Sequence, residues 1–211
     1  MNFWIIQALN GISFGMLLFL LAAGLSLIFG LMKVLNLAHG SYYLLGGYIG
    51  LTVLRYSDHF LMALLGAVIV VTLLGILMER YILRRIYGET LRQALLTFGA
   101  LFMIADISLW IWGGNPQTLP KPEAFTASIR LGGIVFPSYR LLVIAVGVVM
   151  GLGLWWLQEK TRLGAMIRAG VDDEEMAKGM GINVSFLFTV VFALGALLAA
   201  VGGIMGGVFV G

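Results

Sequence analysis

Few side chains in this sequence are equipped for chemistry, and their spacing narrows what that chemistry could be. There is no cysteine and there are only two histidines, so disulfides, thiol catalysis and thiolate metal sites are excluded. His39 has no second candidate ligand close by in sequence, which is poor ground for a metal site. It reads as a pore ligand or proton relay, or, followed by Gly40-Ser41, as the residue that caps and breaks a helix. Asn36 lies just ahead of it, and Asp106 is the single acid in the apolar stretch 94–112. A charge deep in a bilayer costs about 2.5–3.5 kcal/mol. Asp106 must therefore face protein, water or a polar neighbour, or stay protonated. Two readings stand side by side: Asp106 lines a translocation path with Asn36 and His39, or it makes a structural hydrogen bond to a neighbouring backbone, to Asn10 or to Ser13.

The third chemical group is the run Asp172-Asp-Glu-Glu-Met-Ala-Lys-Gly-Met-Gly181. Asp172 as N-cap with Glu175 three residues on resembles a capping box. Glu174 and the other acids suit the positive end of a helix dipole, and Glu174 with Lys178 forms an i, i+4 pair in the favourable order. Gly181 can take the left-handed conformation that ends a helix. The product is a helix of about two turns, too short to be stable alone in water. Met176 and Met180 share one face, with Ala177 beside them. That face either rests on the bilayer and neighbouring helices or fills a groove on a soluble partner. No G-x-x-x-x-G-K-[ST] loop, H-E-x-x-H motif or pair of intramembrane aspartates occurs, so nothing points to an enzyme.

The elements that position these groups are membrane helices. Of 211 residues, 61% are hydrophobic and only 11% charged, with a mean hydropathy of +1.02, where ordinary soluble domains carry about 25% charge. Six apolar stretches follow one another: 4–31, 34–54, 60–78, 94–112, 141–157 and 184–211. The second, with Asn36, His39 and four glycines, reads as broken or partly re-entrant. Trp155-Trp156 is an interfacial anchor. The expected fold is therefore an all-α polytopic bundle of about six spans, forming a single domain over 1–211. The segment 161–170 reads as a frayed continuation of the fifth helix. The segment 114–139 is an extended, proline-rich loop whose Ser128–Pro137 stretch, around Gly132-Gly133, suggests a small hairpin. Gly202, Gly203, Gly206 and Gly207 allow close backbone approach and mark a tight helix or subunit contact.

Basic residues set the orientation. Lys33, Arg80, Arg84, Arg85, Arg92, Lys160, Arg162, Arg168 and Lys178 fall on one side of the six spans, against Arg55, Lys121, Arg130 and Arg140 on the other. The positive-inside rule places the first set in the cytoplasm and the N-terminus outside.

Several segments resemble one family. Glu175-Met-Ala177-Lys-Gly-Met-Gly181 is similar to the E-A-A-x-x-x-G core of ABC-importer permeases, although no proline follows Gly181 here. Thr161-Arg-Leu-Gly-Ala-Met-Ile-Arg-Ala with Met180-Gly-Ile-Asn183, Leu35-Asn-Leu-Ala-His-Gly-Ser41 and Trp112-Gly-Gly-Asn-Pro-Gln117 resemble, in order, the branched-chain amino-acid permeases of the LivH/LivM type. The resemblance implies a permease subunit of an ABC importer in a cell (inner) membrane, with no cofactor. It implies that 172–181 is the coupling helix, with Asp172, Glu174, Glu175, Met176, Ala177, Met180 and Gly181 meeting an ATPase. A second permease subunit, two cytoplasmic ATPase subunits and an external solute-binding protein would complete the assembly. The cargo would be branched-chain amino acids or a related small polar solute, such as urea or an amide. The chain is shorter than that family's usual length and is expected to be C-terminally incomplete relative to it. The alternative is a stand-alone secondary transporter or channel.

Overall fold

A computed structural model describes residues 2–115, 117–122, 125–131 and 134–210. Six long helices carry the chain: α1 (Asn2–Met32), α2 (His39–Ser57), α3 (Phe60–Tyr81), α4 (Thr90–Trp112), α5 (Ser138–Lys160) and, after two short helices, α8 (Val184–Val210). The short ones are α6 (Arg162–Asp172) and α7 (Glu174–Gly179), and a 3₁₀ turn at Leu83–Ile86 links α3 to α4. The strands β1 (Ser128–Leu131) and β2 (Ile134–Pro137) pair antiparallel, with Ile129 opposite Phe136. The Gly132-Gly133 turn expected between them lies outside the described residues.

Five of the long helices are apolar and long enough to cross a membrane. The sixth, α2, is less apolar because it barely meets lipid: α3, α4 and α8 pack around it. Its 19 residues span about 28 Å at 1.5 Å per residue, close to a hydrocarbon core of about 30 Å. The second apolar stretch thus holds one unbroken helix, and the break lies before it, at 33–38. There Lys33 takes φ +56°, and the Asn36 side chain accepts the Ala38 N–H at 3.2 Å, a local bond that competes with helix formation. His39 does not cap α2. Ala38 holds the cap position with no side-chain bond, and the His39 ring turns instead to the Leu21 carbonyl, 3.1 Å away.

Although last in sequence, α8 is the axle of the bundle, packed against α1, α2 and α3. Small residues make this possible. A Cβ on Gly46 of α2 would lie 2.6 Å from the Ala200 carbonyl, and one on Gly24 of α1 would lie 2.8 Å from the Gly195 carbonyl. The helices α4 and α5 lie outermost, on α2 and α1 respectively.

The connection after α5 differs from the expected fraying. Thr161 caps a separate helix, α6, accepting the Gly164 N–H at 3.1 Å. A Cβ on Gly164 would collide with the carbonyls of Leu157 and Gln158, so this sharp fold-back needs glycine. The loops carrying Lys33, Arg84, Arg92, Arg168 and Lys178 gather at one end of the bundle. Contacts that tie them include Leu37 N–H to Thr97 Oγ1, Arg84 to Ser185 and Tyr87 to Glu174. Arg55, bonded to Gln117, and Arg140, stacked over Phe209, mark the other end.

Candidate functional site

At the basic end the chain presents one prominent surface, α7. Its N-cap is Asp173, whose carboxylate accepts the Met176 N–H at 2.9 Å. Asp172 instead ends α6. The cap expected at 172 is thus one residue later, because α6 keeps its helical conformation through Asp172. Gly181, with φ +82°, terminates the turn, and its N–H reaches the Lys178 carbonyl.

Ala177 is 1% exposed and seats α7 on the bundle, whereas Met176 and Met180 are 62% and 67% exposed and point away from it. Glu175 is exposed as well. Lys178 Nζ and the Tyr87 hydroxyl both donate to the Glu174 carboxylate, at 2.6 and 2.5 Å. Burial works to raise the Glu174 carboxyl, but these two hydrogen bonds and the Lys178 charge outweigh it and hold it below its ordinary value. Burial, the bond to Glu174 and the carboxylate's charge together push the Tyr87 phenol well up.

Beneath α7 lies a charge cluster that composition and loop-charge arguments pass over. Glu79, fully buried in the last turn of α3, sits where the helix dipole disfavours an acid. Arg84, from the 3₁₀ turn, folds back on it with Nε at 3.0 Å from Oε1, and Nη2 at 2.8 and 3.0 Å from Oε1 and Oε2. The same Nη2 reaches the Ser185 carbonyl at 3.0 Å and Thr189 Oγ1 at 2.6 Å, and the Thr189 hydroxyl donates to Glu79 at 2.8 Å. One buried carboxylate thereby ties α3, the turn and the start of α8 together. The signal available in sequence was an acid at a helix C-terminus followed five residues later by arginine.

The remaining candidates fall in different places. Asn36, in the connection before α2, and His39, its first residue, are each 2% exposed at the basic end of the bundle. Asn36 Nδ2 and His39 Nδ1 have no hydrogen-bond partner among the described residues. Thr97 and Gln93 of α4 are fully buried; Thr97 accepts the Leu37 N–H, and Gln93 Nε2 donates to the Leu83 carbonyl.

Asp106 is not brought to this cluster. It is exposed on the outward face of α4, nine residues beyond Thr97 and so about 13 Å along the axis. Asn10 and Ser13 are not its partners either, since both are engaged with Arg140.

Gly202, Gly203, Gly206 and Gly207 form a contact within the chain. A side chain at Gly203 would meet the Tyr43 carbonyl, one at Gly206 the Tyr43 hydroxyl, and one at Gly207 Leu119. Beside this seam, toward the end marked by Arg55 and Gln117, a 420 Å³ cavity opens between α2, α8 and residues 117–119. Its walls are mostly apolar, with Tyr43, Tyr48, Gln117 and Thr118 as the polar groups.

A family model described as branched-chain amino acid transport system, permease component, matches residues 7–211. The chain is 26% identical to the high-affinity branched-chain amino acid transport system permease protein BraD of Pseudomonas aeruginosa, covering 94% of this chain and 69% of that one. It is 25% identical to the permease protein LivH of Escherichia coli, covering 97% and 71%. To the probable permease LivH of Methanocaldococcus jannaschii it is 29% identical, covering 93% and 64%. No solved structure matches the chain.

Proposed function

The chain belongs to the family of permease components of branched-chain amino acid transport systems, and from that premise we propose that it moves branched-chain amino acids inward through the membrane, driven by ATP hydrolysis on a separate subunit. It is a multi-pass membrane permease of the ABC-importer class. The reading further places it in a cell (inner) membrane, N-terminus outside and α7 in the cytoplasm. It pairs the chain with a second permease subunit, two ATPase subunits and an external solute-binding protein.

The observation that carries this is α7. A short helix is held from behind by Ala177 and by the Tyr87 hydroxyl on Glu174, while Met176, Met180 and Glu175 face away from the bundle on its most basic end. Flexible, apolar methionines suit a groove on a soluble partner, and a two-turn helix anchored at its back transmits a push instead of unravelling. In this mechanism, ATP-driven closure of the ATPase pair displaces α7, and α8, joined to it through 181–183, moves with it. Solute delivered at the outer face enters by the apolar cavity beside Tyr43. Asn36 and His39 stand as polar groups at the inner exit, and Asp106 faces the second permease chain or the path between the two.

The test is uptake into proteoliposomes holding the complete complex. Accumulation of radiolabelled leucine that needs internal ATP and external binding protein is expected. Leucine flux that follows a gradient without an ATPase subunit would overturn the proposal in favour of a secondary transporter or channel.

A further inference from the structure

Resting on that reading, we infer that Arg84 is a positioning residue: with Glu79 and Thr189 it forms a latch that carries the displacement of α7 into α3 as well as into α8. The argument begins with cost. A fully buried carboxylate is tolerated only if its charge and lone pairs are met, and breaking such a pair costs far more than the pair contributes to stability. Glu79 therefore holds its partners in one arrangement. Those partners belong to different elements, Arg84 to the 3₁₀ turn and Thr189 to the second turn of α8, and Arg84 in turn donates to the Ser185 carbonyl in the first turn of α8. Planar guanidinium geometry, with donors to the carboxylate and to the Ser185 carbonyl at once, fixes an angle between them that a lysine could not fix.

Three residues further on, Tyr87 closes the bracket. Its ring lies 4.8 Å from that of Phe188 on α8, and its hydroxyl meets Glu174 on α7. The segment 83–87 thus touches α7 through Tyr87, α8 through Tyr87 and Arg84, and α3 through Arg84. Behind α7, the Ile182 N–H is bonded to the Ala177 carbonyl and the Asn183 side chain caps α8, so α7 and the α8 start are joined without slack. A push on Met176 and Met180 consequently reaches α3 through a chain of directional bonds, with no flexible link between.

The experiment uses the complete complex in proteoliposomes, with Arg84→Lys, which keeps the charge but loses the fork, and Thr189→Val, which leaves the Glu79–Arg84 pair in place. Two readouts are taken at equal permease content: leucine accumulated per ATP hydrolysed, and the distance between spin labels at Leu61→Cys on α3 and Leu152→Cys on α5 with and without ATP. The latch predicts that ATP hydrolysis persists while uptake per ATP falls about tenfold, within the usual range of coupling between distant sites. It also predicts that the ATP-induced distance change is lost. Unaltered uptake per ATP in both variants would overturn it, as would an unaltered distance change, or no change in the unsubstituted complex. If Arg84→Lys fails to accumulate in the membrane, Thr189→Val alone decides. If the unsubstituted complex does not take up leucine, the transport reading fails, and the distance measurement still judges the latch.

Discussion

The Tyr43 side chain shows how finely single positions are set. Gly203 and Gly206 both face it, but they meet different atoms: the backbone carbonyl at Gly203 and the tip of the side chain at Gly206. Overpacking a core costs about 1–3 kcal/mol, and more where the obstructing atom is backbone. Gly206→Ala is therefore expected to lower the thermal midpoint in detergent modestly and to be rescued by Tyr43→Phe. Gly203→Ala is expected to destabilise more strongly, with no rescue; equal behaviour of the two in a melting series would contradict the packing described. Glu174 supports a pH prediction. Its folded carboxyl is held below its ordinary value by Lys178 and Tyr87, so the stability it contributes to α7 is present above the unfolded pKa and fades as pH falls through the folded one. Amide-exchange protection of residues 175–179 should weaken on acidification in the native chain. In Glu174→Gln that dependence should flatten.

At the scale of elements, α7 stands on two devices, a buried alanine behind it and a left-handed glycine after it. Ala177→Asp would put an uncompensated carboxylate into the seat of the helix, and Gly181→Val would force a β-branched residue into φ +82°, which such residues rarely adopt. Both variants should reach the membrane yet fail to retain the ATPase subunit in a pull-down, with uptake lost. Retention at the native level would show that α7 is not the contact.

Much of this element was legible in the sequence. The acid cluster, the Glu174–Lys178 pair and Gly181 are local signals, and local signals survive folding. The position of the cap was not, because Asp172 and Asp173 are equivalent locally, and only the extent of α6 decides between them. The same limit explains α2. Its glycines and His39 look like a break from within the segment, but Gly46, Gly47 and Gly50 are met by Ala200, Gly203 and Ile204 of α8, and His39 by Leu21 of α1. Glu79 was hidden for a related reason: Arg84 is close by, but Thr189, which completes the cluster, lies 110 residues away.

For the molecule as a whole, charge distribution and span count already prescribe the two-ended bundle, and tertiary structure adds which helices face outward. Asp106 belongs to this scale. It makes no hydrogen bond or ion pair among the described residues and sits on α4, a helix with little burial. Asp106→Asn should leave the melting temperature of the isolated chain unchanged while reducing uptake by the assembled complex. An unchanged uptake would return Asp106 to a passive role. The position of α8 has a consequence in time. A ribosome delivers α1 to α5 to the membrane before the helix around which three of them pack has been made. Until residues 184–210 emerge, the glycine faces of α1 and α2 have only lipid or insertion machinery to lie against, and Glu79 can find Arg84 but not Thr189. Biogenesis must therefore hold a ring of helices open for its own centre. A pause in synthesis or a faulty insertion near residue 184 would strand the chain in its most vulnerable, protease-sensitive form.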